Sequence, residues 1–321
     1  MTFCLAKTVF AGGCIVNEKT IVFGKGQGML IPGQIKFGRG KKLFDLSPIN
    51  LLSPELDPRV TYRCASEHFY WSPDGLLEKA APDVWPLEYQ NGVAVGRHEP
   101  EPARNNVQFN CRAIAESANV IKSGDFELIA DPNGAPDGGP IGRLPVASNS
   151  YMVSQDINGV MLVPATAYKL PDNWKRLSFT VTSTARSRLR LRMGLRLDEN
   201  GVPGPPSIWL TQNPEYSSWL TAGMWSVSWF AKAGDKDTFP AGLGQIEEGA
   251  PCTSPIITEG AAMASRAGSS VTITTAGASS IVVHFNNGQS ETHETPDELF
   301  SLPVAPLHWG TRYITLIEYE K

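Results

Sequence analysis

The sequence has little of what usually announces a reaction or a membrane. It contains no Gly-x-Ser-x-Gly elbow and no His-Glu-x-x-His pair, the spacings that present a nucleophilic serine or a zinc-bound water. Its five cysteines, Cys4, Cys14, Cys64, Cys111 and Cys252, include no Cys-x-x-Cys pair and have no histidine nearby at zinc spacing. Free thiols in a reducing compartment are therefore expected. No stretch approaches the roughly 18 apolar residues needed to cross a bilayer. The apolar start "MTFCLAKTVFAGGC" is broken by Lys7 and lacks a basic lead, so neither an export signal nor membrane insertion is expected. Charge is also scarce: charged residues make up 19% of the chain and the net charge is -4. That balance argues against capture of nucleic acid by the whole protein.

Turn formers, by contrast, are plentiful. Glycine (30) and proline (25) punctuate segments filled with Ser, Thr and β-branched residues, a composition that favours an all-β chain. A length of 321 residues suffices for two domains or for one sandwich with appendages. Residues 1–60 read as short strands with glycine turns. "GKGQG" (Gly24–Gly28) lacks the Gly-Lys-Ser/Thr ending of a phosphate loop and no helical pattern follows it. Residues 61–115 read as hairpins, with one turn at Ser72-Pro73-Asp74-Gly75 and a second at Gln90-Asn91-Gly92.

The strongest periodicity lies in "RSRLRLRMGLRL", residues 186–197. Arg186, Arg188, Arg190, Arg192 and Arg196 occupy even positions, and Leu or Met fills the odd positions from Leu189 to Leu197. A strand sends alternate side chains to opposite faces, so this segment predicts an apolar stripe backed by guanidinium groups. Three partners fit those arginines: carboxylates of neighbouring strands, a second subunit, or phosphate and uronate groups of a polysaccharide. "RLSFTVTS" (Arg176–Ser183) and "WSVSWFAKAG" (Trp225–Gly234) alternate similarly, placing Trp225, Val227 and Trp229 in a core. At the C-terminal end, Asn287-Gly288 marks a hairpin and "WGTRYITLIEYEK" a last strand.

Two segments carry a resemblance. In the first, Tyr70, Asp74, Gly75, Leu76, Ala80, Ala81, Pro86, Tyr89, Gly92, Glu101, Arg104 and Asn106 follow the order of a segment that is similar to one in bacteriophage tail-fibre and minor tail proteins. Arg104-Asn105-Asn106 stands where those proteins usually have Arg-Thr-Asn. In the second, Gln245, Glu247, Gly249, Thr253, Ser254, Pro255, Ile256, Thr258 and Arg266 resemble the close of the carbohydrate-binding-module-like sandwich of such proteins. Together the two touch about a quarter of the chain and leave residues 1–60 outside. The resemblance implies a jelly-roll, carbohydrate-binding-module-like β-sandwich over 116–260. It would be flanked by an N-terminal β region (1–60) that attaches to the virion, the hairpin segment (61–115) and a small C-terminal β appendage (261–321).

No residue set here points to catalysis. His284 sits in a predicted strand and reads as structural, and His293 lies in an acidic loop. Glu247 and Glu248, being adjacent, point opposite ways in extended chain, whereas a glycosidase pair must face across a sugar. The segment Asp131–Asp137, rich in Pro and Gly, reads as a turn; the resemblance adds a structural calcium as a weaker alternative, and no other cofactor is implied. Sugar rings stack on exposed aromatic faces, and Trp209, Tyr216 and Trp219 lie in "PSIWLTQNPEYSSWL" without the alternation that would bury them. They are the candidate glycan platform, with packing under a loop or at a subunit interface as the alternative. The expectation is a non-enzymatic phage tail or tail-fibre protein, assembled in the bacterial cytoplasm into the virion. Its partners would be other tail proteins, copies of itself in a homotrimer and host surface polysaccharide. A virion connector or decoration protein and, more remotely, a polysaccharide depolymerase are the rivals.

Overall fold

Short alternating segments bounded by turn residues can bury only one face each, and they satisfy their backbone by pairing with one another. The computed structural model describes residues 45–108, 110–112, 120–123, 129–145, 150–157, 160–169, 172–183, 189–194, 207–211, 223–233, 238–260, 262–275 and 277–321. It is all-β, with no helix among the described residues. The first strands are β1 (Ile49–Asn50), β2 (Val60–Cys64), β3 (His68–Trp71), β4 (Leu77–Ala80), β5 (Glu88–Gln90), β6 (Val93–Gly96) and β7 (Arg104–Asn106). Then come β8 (Val120–Ser123), β9 (Ile129–Asp131), β10 (Ile141–Pro145), β11 (Ser150–Ile157), β12 (Val160–Lys169), β13 (Lys175–Ser183), β14 (Leu189–Gly194), β15 (Ser207–Thr211), β16 (Gly223–Ala231) and β17 (Thr238–Glu248). The chain closes with β18 (Ala264–Arg266), β19 (Ser269–Thr274), β20 (Ser280–Phe285), β21 (Ser290–Glu294), β22 (Leu299–Ser301) and β23 (Ile314–Glu320).

Strands from the two ends of the described chain make common sheets. One has the order β1-β23-β20-β21 and another β2-β19-β22, all antiparallel. Ile49 lies opposite Ile317, and Tyr62 lies opposite Val271. The apolar sides of both sheets meet in one core that contains Ile49, Val60, Tyr62, Val271, Ile273, Ile281, Val283 and Ile317. Burying an aliphatic side chain of this kind contributes roughly 1.5–3 kcal/mol. Residues 264–320 thus complete the sheets begun by residues 49–64, a long-range pairing that local turn signals do not encode.

Between these halves, residues 120–248 form two five-stranded antiparallel sheets, ordered β13-β16-β17-β10-β9 and β12-β11-β14-β15-β8. Strand β7 pairs with β18, with Asn106 opposite Ala264, so the chain leaves and rejoins the flanking part through neighbouring strands. Strand β16 is an inner strand, between β13 and β17. Trp225, Val227 and Trp229 are buried as the alternation predicts, and Ser226, Ser228 and Phe230 on the other face are buried too. Both faces of this strand are covered. A second core joins this sheet to the hairpin β3–β4: Phe69 and Leu77 pack with Ile141, Phe230, Leu243 and Trp309.

Candidate functional site

Two tight hairpins and two loops converge on a cleft of about 770 Å³. The first hairpin, β3–β4, turns at Ser72–Gly75, where Gly75 takes φ +74° and its N–H donates to the Ser72 carbonyl at 3.0 Å. The second, β5–β6, turns on Asn91 and Gly92 with φ +52° and +76°, the pair of positive angles that suits right-twisted strands. The tips are neighbours, because a Cβ on Gly92 would lie 3.7 Å from the Pro73 carbonyl oxygen. From the turn before β13, the Asn173 Nδ2 donates to Asn91 Oδ1 at 3.1 Å. The loop before β23 supplies Trp309 and Gly310. Behind the second hairpin, Gly96 is required: any Cβ there would sit 2.3 Å from the Ile314 carbonyl oxygen.

Aromatic rings and amides line the cleft. Trp71, Tyr89 and Trp174 are partly exposed, and the amide side chains of Gln90, Asn91 and Asn173 stand at the rim. The Trp71 ring lies nearly parallel to that of Trp309, with centroids 6.4 Å apart, and meets Phe230 edge-on at 5.8 Å. Five charged residues also line it: Asp74, Asp172, Lys175, Arg176 and Lys232. The Lys232 Nζ is 5.1 Å from the Trp174 ring centroid. The Arg176 guanidinium lies 5.7 Å from the centroid of Phe230 and 5.8 Å from that of Trp309. Its Nη1 donates to the Thr253 carbonyl, while Nε and Nη2 are enclosed without a hydrogen-bond partner among the described residues. Burial pulls this guanidinium down from its ordinary value, with Cys252, Glu247 and Glu101 acting in the opposite sense.

The hairpins stand on a buried ionisable network. Glu88, wholly buried, accepts from the Trp71 N–H at 3.2 Å and lies 3.1 Å from His98 Nδ1. Burial raises the Glu88 carboxyl, and the His98 and Trp71 contacts offset only part of that. Glu101 accepts from the Ser254 N–H at 2.5 Å and from the Ser254 hydroxyl at 2.8 Å, and it pairs with Arg266 Nη1 at 3.1 Å. Burial alone would raise this carboxyl too, but Arg266, His98 and Ser254 outweigh it and hold it below the usual carboxylate range. His68, edge-on to His98 with centroids 5.2 Å apart, is pushed down to about 4, chiefly by burial and then by His98.

Next to this network runs a seam between residues 101–111 and 244–258. Asn106 is its hub: Nδ2 donates to the carbonyls of Gly244 at 3.2 Å and Ile256 at 2.8 Å, and Oδ1 accepts from the N–H groups of Gln108 and Ile246. Gln245 Oε1 accepts from the Ile256 N–H at 2.7 Å, and Glu247 accepts from the Thr253 N–H at 3.0 Å and from its hydroxyl. Thr258 Oγ1 donates to the Gln108 carbonyl at 2.6 Å. Asn106 and Glu101 thus bond across the seam to residues 244–256, and Gln245 and Glu247 brace residues 253–256 within it; these residues are among those that carry the two sequence resemblances.

The sequence-predicted residues fall mostly elsewhere. Arg186, Arg188, Arg196, Tyr216 and Trp219 lie outside the described residues, as do Cys4, Cys14 and the glycines of Gly24–Gly28. Arg190 and Arg192 are in β14 and Trp209 in β15; Arg190 is opposite Asp156 on one side, and Arg192 is opposite Trp209 on the other. The register thus brings the arginine strand and one member of the aromatic set together on adjacent strands. Cys64, Cys111 and Cys252 are free and buried. Glu247 is buried and Glu248 exposed, as alternation requires. His284 lies 2.9 Å from Glu318 on the neighbouring strand. The two carboxylates offered for calcium meet arginines instead, Asp131 with Arg143 and Asp137 with Arg112, each at 2.5 Å. Among the described residues, no three His, Cys, Asp or Glu side chains gather where they could hold a metal ion.

Trp71, Trp174 and Trp309 line the cleft and are not among the aromatic residues that the sequence singles out. Their only signal is position: Trp71 precedes the Ser-Pro-Asp-Gly turn, Trp174 follows Pro171-Asp172-Asn173, and Trp309 precedes Gly310. An indole at the end of a turn belongs to no alternating stripe, so periodicity does not assign it a face. Comparison of the chain with protein-family models, with curated proteins and with solved structures finds no match in any of the three.

Proposed function

We propose that the protein is a non-enzymatic binding and assembly component of a bacteriophage tail or tail fibre, and that its cleft binds a saccharide of the host surface. The observation that carries the binding half is the lining of the cleft. Partly exposed Trp71, Trp174 and Tyr89 stand beside the amides of Gln90, Asn91 and Asn173 in one concavity. A pyranose offers an apolar C–H face to stack on a ring and hydroxyls around its edge to pair with amides, so it matches both parts of the lining. The tail assignment and the reading of residues 116–260 as a jelly-roll, carbohydrate-binding-module-like sandwich rest on the resemblance of the two sequence segments. Copies of the chain would associate as a trimer, with the arginines of residues 186–196 at a subunit surface.

The test is a fluorescence titration of the purified protein with extracted bacterial surface polysaccharides, with Trp174→Ala and Asn173→Ala beside the wild type. Three indoles line the cleft, so an occupying saccharide changes the emission. Both variants should bind at least tenfold more weakly with unchanged circular dichroism. Binding that survives both changes would move the site away from this cleft, and release of reducing sugar would replace the binding reading with a depolymerase. Arg190→Ala/Arg192→Ala, followed by oligomeric mass, tests the assembly half. A trimer that becomes monomeric supports it, and a wild type that is itself monomeric overturns it.

A further inference from the structure

We infer that the saccharide taken by the cleft is acidic, with its carboxylate or phosphate lying against Lys175, Arg176 and Lys232. This rests on the glycan reading above and narrows it to a chemical class. Lys175 and Arg176 begin β13, and Lys175 is opposite Ala231 at the end of β16, so Lys232 continues the same end of that ladder. Three cations therefore gather at one corner of the cleft. The two acids in the lining, Asp74 and Asp172, are exposed on turns, where water screens them, whereas Lys232 is half-buried and the Arg176 nitrogens Nε and Nη2 are enclosed.

The acids that could neutralise this corner are engaged elsewhere. Asp131, the carboxylate that Lys232 influences, is held by Arg143 Nε and Nη2 at 2.9 and 2.5 Å. Glu247, which influences Arg176, accepts from Thr253, and burial raises its carboxyl. Lys175 and Lys232 form no ion pair among the described residues. The Arg176 Nε and Nη2 atoms are enclosed, so this guanidinium adds positive charge to the corner, while the ammonium groups of Lys175 and Lys232 pair with the oxygens of carboxylate and phosphate alike. The Lys232 ammonium already lies against the Trp174 ring, so a sugar resting at that indole brings its acidic substituent within reach.

The deciding experiment measures binding to capsular polysaccharides and lipopolysaccharide O-chains in three forms: intact, after carbodiimide reduction of their carboxyls, and after removal of phosphate with hydrofluoric acid. Lys175→Ala and Lys175→Ala/Lys232→Ala are titrated in parallel. Binding confined to acidic polymers supports the inference when one of the two treatments weakens it at least tenfold, the treatment identifying the anion, and when the lysine variants lose a similar factor. Lys175 is exposed, so its single variant reads the effect even if the double variant fails to fold. Binders that are neutral, or acidic binders that neither treatment weakens, would overturn the acidic class and leave the saccharide site standing. If no polysaccharide binds in any form, the saccharide reading itself falls and takes the inference with it.

Discussion

The seam and the cleft are both built from polar side chains, and they use them in opposite ways. At the seam, Asn106, Gln245, Glu101 and Thr258 are buried and their side-chain hydrogen-bonding groups are taken up by backbone or side-chain partners. At the cleft, Gln90 and Lys175 are exposed, and the enclosed Arg176 keeps two donors unused. A polar group that is buried and satisfied specifies how two segments fit, while one that stands exposed beside aromatic rings is open to a ligand. The contrast separates residues that hold this fold together from residues that line its proposed binding cleft.

The sharpest way to break the contrast is Glu101→Ala. It removes the counter-charge of Arg266, which is buried at 3% exposure, and strands the Ser254 N–H and hydroxyl. Loss of one member of a buried pair costs about 3–5 kcal/mol, and chemical denaturation should show it as a lower midpoint; an unchanged midpoint would mean the seam does not carry stability. Acid should act next. The folded value of His68 near 4 lies below its ordinary 6.5, so the unfolded chain takes up that proton first. Stability therefore falls as pH drops from about 6.5 to about 4, by at most about 3 kcal/mol. Glu101 extends the loss below its ordinary value of 4.5, whereas Glu88, whose carboxyl is raised, gains protons first in the folded state and offsets part of it. Thermal midpoints measured across this range check the sign, and a midpoint that rises on acidification would contradict it.

On the cleft side the expected changes are smaller in energy and different in kind. Trp174→Ala should lower saccharide affinity about tenfold, roughly 1.4 kcal/mol, while the denaturation midpoint shifts little. A variant that loses stability and affinity together would place Trp174 with the seam rather than the cleft. Smallest of all is Glu248→Ala, at an exposed position next to buried Glu247; it should leave stability within about 0.5 kcal/mol. Glu247→Ala beside it should not be silent, because Thr253 would lose both contacts.

Local pattern made part of this architecture readable. Alternation assigned Trp225, Val227 and Trp229 to a core and set Glu247 against Glu248. Turn chemistry located the hairpins at Asp74-Gly75, Asn91-Gly92 and Asn287-Gly288, where positive φ is needed. Each of these is decided within a few residues. The pairing of β1 with β23 and of β2 with β19 joins segments about 200 residues or more apart, and nothing in either segment names its partner. The cleft was hidden for the same reason, since Trp71, Trp174 and Trp309 come from three distant turns that meet only after the long-range sheets have formed. The aromatic set that was readable, Trp209, Tyr216 and Trp219, is contiguous in sequence, and contiguity is what made it visible.

The pairing of β7 with β18 has a consequence for how such a protein can change. Because the intervening segment departs and returns side by side, its two ends can be grafted onto another base without stretching either backbone. Exchange of that cassette between related genes would keep Glu101, Asn106 and Arg266 in the base and would carry residues 244–258, the other side of the seam, with it. It would replace Trp174, Lys175, Arg176 and Lys232 on one wall of the cleft and leave Trp71, Tyr89 and Trp309 on the other. One recombination event would then rewrite half of the proposed recognition surface and leave the other half as inherited.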